Sequence, residues 1–128
     1  MQKKGKIINI GNEKFDEIIM ENNCFIIDLR EPFEYRKLHI KGAINIPHDV
    51  FEKHKDFIFS DKKIVIYCDS GGTSLHCSKM LARGGATVYN LVRGIENYNG
   101  KYLCHFNWQI RLPTLILKKK FGETYEDI

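Results

Sequence analysis

Ile64-Val65-Ile66-Tyr67-Cys68-Asp69-Ser70-Gly71-Gly72-Thr73-Ser74 is an apolar run that stops on a cysteine and passes into small, polar residues. The run is short and bounded by turn residues, as a strand covered on both faces should be. The segment that follows, from about Thr73 to Arg83, reads as a helix with Leu75, Ser78, Leu81 and Ala82 on one face, stopped by Gly84-Gly85. A cysteine in a Gly-rich loop between strand and helix meets successive backbone N–H groups and the positive end of the helix dipole. Both stabilise a thiolate over a thiol, so Cys68 is placed for nucleophilic chemistry.

The same alternation extends in both directions. Upstream, Ile7 to Ile10 is a strand, and Phe15, Ile18, Ile19 and Asn22 fall at helical spacing with Asn12 as N-cap. Cys24 to Leu29 is a second strand; Glu31-Pro32 opens a short helix that carries Phe33 and Leu38. Ala43 to Ile46 is a third strand closed by Pro47, and Phe51, Lys55 and Ile58 allow another helix. Ile64 to Tyr67 is the fourth strand; Thr87 to Leu91 is the fifth, followed by Gly94 and a short helix through Tyr98. Strands alternating with helices predict an α/β fold, a mainly parallel five-stranded sheet with helices on both faces. Ligands of such sheets sit beyond the carboxyl ends of the strands, where Cys68 and the Asp28–Arg30 stretch both fall.

The chain has 128 residues, enough for one domain with one core, and its 43% apolar and 28% charged content is that of an ordinary globular protein. Residues 1–103 read as that domain. Residues 104–128 read as a C-terminal extension that packs on the domain or on a partner, because Pro113 interrupts the Trp108-Ile110-Leu112 alternation before Leu115-Ile116-Leu117. Net charge is +4, but the basic residues are dispersed and the Lys118-Lys119-Lys120 run is best explained as solvated surface, so no nucleic-acid partner is expected. No stretch approaches the roughly 20 apolar residues of a membrane span, and the N-terminus lacks a signal-peptide core. The expected location is therefore cytoplasmic, with the four cysteines reduced and without the spacing of a zinc or dithiol site. His48, His54, His76 and His105 show no metal-ligand spacing with them, so neither metal nor cofactor is expected.

Two stretches carry a family resemblance. Asp28-Leu29-Arg30-Glu31-Pro32-Phe33-Glu34-Tyr35-Arg36-Lys37-Leu38-His39-Ile40-Lys41-Gly42-Ala43-Ile44-Asn45-Ile46-Pro47 is similar to the pattern Asp-x-Arg, Glu-Tyr or Glu-Phe, then Gly-His-Ile-x-Gly-Ala-x-Asn-Ile-Pro of the rhodanese-like domain family. Leu38 stands where that family has Gly. Ile64 to Cys68 with its loop, then Val88-Tyr89-Asn90-Leu91-Val92-Arg93-Gly94-Ile95, resembles the family's active-site strand and its closing Leu-x-Gly-Gly segment, with Arg93 replacing one Gly. The resemblance covers about residues 6 to 103. It implies a rhodanese-like fold and a single-domain sulfurtransferase in which sulfur rides on Cys68 as a persulfide. The donor it implies is a persulfide, a protein persulfide included, a polysulfide or thiosulfate; the acceptor it implies is a thiol or cyanide.

On this reading Cys68 is the catalytic residue, and Asp69, Ser70, Gly71, Gly72, Thr73 and Ser74 form the loop whose N–H groups cradle the persulfide. Gly71 and Gly72 supply backbone freedom, and Thr73 or Ser74 can cap the helix. Relatives active on thiosulfate often carry Arg where this chain has Thr73, whereas this loop has no Lys or Arg and adds Asp69. An inward Asp69 works against the thiolate and repels a dianionic donor, so a persulfide or polysulfide is expected to be preferred. Arg30 and Asp28 flank the site as a structural pair, with Arg30 the cation that can offset Asp69. Core packing explains Cys24 and Cys77, and a structural hydrogen bond near Gly42 explains His39. A cysteine phosphatase would need Cys-x-x-x-x-x-Arg, and Ser74 occupies the arginine position. The rival reading from another class is a catalytically weak rhodanese-like module for protein binding or regulation.

Overall fold

A computed structural model describes residues 4–58 and 62–105. Strands β1 (Lys6–Ile10), β2 (Cys24–Asp28), β4 (Ile44–Asn45), β5 (Lys63–Tyr67) and β6 (Thr87–Leu91) form one sheet in the order β1-β6-β5-β2-β4. Every neighbouring pair is parallel. These are the five strands expected from the apolar runs, and β5 lies in the middle.

Side chains along a strand alternate between the faces of the sheet, and that alternation sorts the core into two. Val65 and Tyr67 of β5 join Ile26 of β2, Phe15 and Ile18 of α1 (Asn12–Met20) and Tyr35 of α2 (Pro32–Lys37). Ile64 and Ile66, with Cys68 just beyond the strand, join Ile27, Phe51 of α3 (His48–His54), and Cys77 and Leu81 of α4 (Gly72–Arg83). The helices therefore cover both faces, as expected. Phe15, Phe51 and Tyr67 are each 0% exposed, and burying a side chain of that kind stabilises the fold by roughly 1.5–3 kcal/mol.

Four local expectations are corrected. Leu38 is extended (φ −162°, ψ 150°) and not helical: α2 ends at Lys37, and Leu38 opens β3 (Leu38–Ile40), which pairs antiparallel with β7 (Leu103–His105) in a second, two-stranded sheet. Asn12 does not cap α1; Gly11 is the N-cap, and the Asn12 amide instead donates to the Asn97 carbonyl and Asn99 Oδ1. The helix expected through Phe51, Lys55 and Ile58 breaks into α3 and a 3₁₀ turn at Lys55–Phe57. The buried face of α4 is Ser74, Cys77, Ser78 and Leu81, with Leu75 and Ala82 only half-buried. Cys104 and His105, expected in the extension, pair with His39 and Leu38. The rest of that segment, with Trp108, Pro113 and the lysine run, lies outside the described residues.

Candidate active site

Cys68 leaves the carboxyl end of the central strand with its side chain 5% exposed on the α3–α4 face. The chain then turns sharply. Gly71 is the N-cap of α4 with φ +112°, in the left-handed region, and a Cβ there would lie 2.0 Å from the Val92 carbonyl oxygen. Only glycine meets both conditions. The turn brings two backbone donors onto the sulfur: Gly71 N–H at 3.2 Å and Ser74 N–H at 3.3 Å from Cys68 Sγ. Helix geometry leaves the N–H groups of the first turn without intrahelical acceptors. The sulfur takes the place of a capping oxygen at Ser74. Neither Thr73 nor Ser74 caps α4 with its side chain; the Ser74 hydroxyl donates back to the Gly71 carbonyl at 3.2 Å.

The segment after β6 clamps the loop from behind. Ile95 N–H donates to the Cys68 carbonyl and Glu96 N–H to the Asp69 carbonyl, both at 3.0 Å. Gly94 fits between them at φ +69° and ψ −174°, and a Cβ there would lie 2.2 Å from the Asp69 oxygen and 2.7 Å from the Cys68 oxygen. With the Cys68 and Asp69 carbonyls held by this segment, the Gly71 and Ser74 N–H groups are on the sulfur. The signal available in the sequence was Gly94, placed just past the apolar end of β6.

Asp69, Ser70, Gly72 and Thr73 are exposed, whereas Gly71 and Ser74 are buried. Solvent therefore screens the Asp69 charge, and its repulsion is weaker than an inward carboxylate would give.

Asp28 and Arg30 form a buried pair, but on the other face of the sheet from Cys68. Asp28 accepts from Arg30 Nη2 at 2.9 Å, from the Arg30 backbone N–H at 2.9 Å and from the Tyr67 hydroxyl at 2.5 Å. Arg30 Nη2 also donates to the Leu38 carbonyl, and Tyr67 Oη accepts from Ile40 N–H. Burial works against the guanidinium charge, yet the hydrogen bond and charge of Asp28 outweigh it and raise the Arg30 pKa. Burial, reinforced by Asp28, likewise raises the Tyr67 phenol. These side chains tie β3 to the ends of β2 and β5; they are not gathered with Cys68.

His39 stacks on Tyr35 with ring centroids 3.9 Å apart, and its Nδ1 lies 2.8 Å from the Tyr35 carbonyl. Burial lowers its pKa, only partly offset by that hydrogen bond. His39 thus behaves as a neutral structural ring beside the Gly42 turn. Cys77 is 1% exposed, and burial, with Glu52 and Cys68 adding to it, pushes its thiol up to about 12. Burial also raises Cys24. Among the described residues, all four cysteines are unbridged.

The surroundings add two observations. Glu31, His48 and Asp49 bring one ligand atom each within 4.8 Å of one another, but all three are exposed, as clustered surface acids commonly are without an ion. A cavity of about 620 Å³ lies beside Lys63 and Thr87, which begin β5 and β6, so it opens at the opposite end of the strands from Cys68. Among the described residues no helix is long and apolar enough to cross a membrane.

Fold and site together define a class: an α/β domain holding a cysteine sulfur against backbone N–H groups of a Gly-rich loop, at the carboxyl end of its central parallel strand. The model of the Rhodanese-like domain matches residues 11–101, and the chain belongs to that family. Two Bacillus subtilis proteins are similar. YqhL, an uncharacterized protein, is 38% identical over 59% of this chain. YrkF, a candidate sulfur carrier protein by name, is 35% identical over 74% of this chain. The match spans 61% and 52% of those relatives' own lengths, less than two thirds of either. A rhodanese-related protein from Thermoplasma volcanium superposes with a TM-score of 0.64 at 27% identity, over 72% of this chain and 95% of that one. The family assignment supports a sulfur-related role.

Proposed function

We propose that this protein is a sulfurtransferase that carries sulfane sulfur on Cys68. The observation that supports the reading most is the pair of backbone N–H groups, from Gly71 and Ser74, aimed at the cysteine sulfur at the start of α4. In the first step the Cys68 thiolate attacks the outer sulfur of a donor R–S–SH. An S–S bond forms at Cys68, the donor S–S bond breaks, and the electron pair leaves on R–S⁻. In the second step an acceptor thiolate attacks the outer sulfur of the Cys68 persulfide. The new S–S bond forms on the acceptor, and Cys68 departs as the thiolate with its cradle already in place. The cradle acts as an oxyanion hole does, with fixed donors that need no reorganisation when charge moves between the two sulfurs. Gly72 and Thr73, in the first turn of α4, offer further N–H groups to the outer sulfur. The name of YrkF agrees with this role.

Thiosulfate is expected to be the poorer donor. Thiosulfate is a dianion whose charge is shared by the transferred sulfur and the oxygens of the adjoining sulfonate, so that charge enters a loop whose residues 68–74 include no Lys or Arg. A steady-state comparison should give a lower kcat/KM with thiosulfate than with a polysulfide, and the reverse order overturns the donor assignment. The function itself is tested by intact-mass spectrometry after incubation with polysulfide. The expected result is a gain of one sulfur atom, lost to an added thiol and missing in Cys68→Ala. A folded protein that gains no sulfur from any donor refutes the proposal and favours the binding-module reading.

A further inference from the structure

The loop that holds Cys68 has no cation of its own, and Arg30 is committed to Asp28 and the Leu38 carbonyl, 4% exposed and on the far face of the sheet. Among the described residues, an exposed arginine has its backbone against this loop. Arg93 occupies the tip of the turn Leu91–Gly94, closed by Gly94 N–H to the Leu91 carbonyl at 3.1 Å. That tip rests directly on the loop: a Cβ on Gly71, whose N–H reaches the sulfur, would lie 3.7 Å from Arg93 Cα. On the other side Gly94 abuts the Cys68 and Asp69 carbonyls. The Arg93 carbonyl is anchored by the Asn97 amide at 3.2 Å, while the residue itself is exposed. The backbone is thus fixed against the nucleophile's loop and the side chain faces solvent. Its charged neighbours on these two segments, Asp69 and Glu96, are acidic and also exposed.

We propose that Arg93 is the specificity-determining residue of this site, selecting carboxylate-bearing small thiols and their persulfides. The inference rests on the persulfide chemistry proposed above and adds the class of substrate. The division of labour follows from placement: the cysteine is buried within the loop, and Arg93 is exposed beside it. Backbone N–H groups take the reacting sulfur inside the loop, and Arg93 at the rim takes a negative charge several bonds away from it. A planar guanidinium suits a carboxylate because two parallel N–H···O bonds can form. Neutral thiols gain nothing from it.

The test uses the whole protein and two alkylating probes of similar size, iodoacetate and iodoacetamide. In each, the Cys68 thiolate forms an S–C bond and iodide leaves; one probe carries a carboxylate and the other a neutral amide. Rates are read at the Cys68 peptide by mass spectrometry, because Cys24 and Cys104 are also partly exposed. Exposed ion pairs contribute modestly, so Arg93→Ala should lower the iodoacetate-to-iodoacetamide rate ratio by about fivefold. Arg93→Glu should lower it further, since it leaves acids alone around the mouth. The iodoacetamide rate should stay near that of the parent protein, which reports an intact loop. Sulfur transfer to 3-mercaptopropionate should fall in the same order, with transfer to 2-mercaptoethanol retained. A ratio unchanged in both variants, in a protein that still gains sulfur from polysulfide, overturns the role of Arg93 and leaves the sulfurtransferase reading standing. A parent protein that gains no sulfur overturns that reading and, with it, the substrate assignment.

Discussion

Asp28→Asn removes one charge and keeps its shape, and its cost can be worked out from what each partner would keep. In the parent protein the Asp28 side chain is 0% exposed and that of Arg30 is 4% exposed. Removing one partner of a buried pair typically destabilises by about 3–5 kcal/mol, because the other charge is left uncompensated. The two partners are not equally dependent. Without Arg30, the carboxylate still holds the backbone N–H of residue 30 at 2.9 Å and the Tyr67 hydroxyl at 2.5 Å. In Asp28→Asn the guanidinium keeps the Leu38 carbonyl and one amide oxygen as acceptors but loses its only counter-charge in direct contact among the described residues. Hydrogen bonds to a charged group are worth roughly 1.5–3 kcal/mol each. Asp28→Asn should therefore fall near the top of the range, about 4–5 kcal/mol, and Arg30→Met below it, about 2–3 kcal/mol. Against a total stability of about 5–15 kcal/mol for a domain, the first variant approaches unfolding and the second does not. Urea unfolding followed by far-UV circular dichroism, with a shared m-value, measures both. The double variant should lose less than the sum, since the second change removes a charge already unpaired. Arg30→Met as damaging as Asp28→Asn, or strict additivity in the double variant, would refute the reasoning.

Three further outcomes are expected. The lowered His39 pKa means that the unfolded chain takes up a proton before the folded one. Its stabilising contribution is complete above the ordinary histidine value of 6.5 and is lost as pH falls below it, by at most about 1.4 kcal/mol per pH unit; His39→Gln should flatten the measured slope in that window. Gly94→Ala places a methyl group 2.2 Å from the Asp69 oxygen at a backbone conformation essentially reserved for glycine; it should cost about 1–3 kcal/mol and reduce persulfide formation at least about tenfold, and near-parent sulfur loading would contradict the clamp. Cys77, its thiol pushed up to about 12, is protonated at neutral pH; Cys77→Ala should lose about 1 kcal/mol of stability and keep its sulfur-transfer rate within about twofold, whereas an inactive but folded variant would give Cys77 a chemical role.

The central sheet was legible because each strand is an apolar run that needs no knowledge of its partner. Ile64 to Tyr67, buried on both faces, can be little else. The β3–β7 pair was not legible for the opposite reason. Each strand has three residues, and their partnership joins Leu38 to His105 across most of the described chain. No local periodicity records such a contact, and Leu38 sits one residue beyond a true helix, where an apolar side chain fits either pattern. The caps failed similarly. Asn12 has the right chemistry for an N-cap, but Asn97 and Asn99 offer its amide a tertiary alternative.

The candidate site was legible as a place in the chain and only partly as a geometry. Cys68 was fixed by its strand end and its glycines. The sequence placed Asp28, Arg30 and Cys68 together at one edge, and at the level of backbone they are together. A strand's two-residue period then separates them: Asp28 pairs in register with Tyr67, so its side chain shares Tyr67's face, and Cys68, one residue further, faces the other way. That single step decides which cation can serve the sulfur. It commits the Arg30 guanidinium to Asp28 and the Leu38 carbonyl as part of the scaffold, with the Asp69 charge still felt there. It leaves Cys68 Sγ in contact with the Gly71 and Ser74 N–H groups, and on the proposed reading the turn after β6, with Arg93 at its tip, is where side-chain charge meets a substrate.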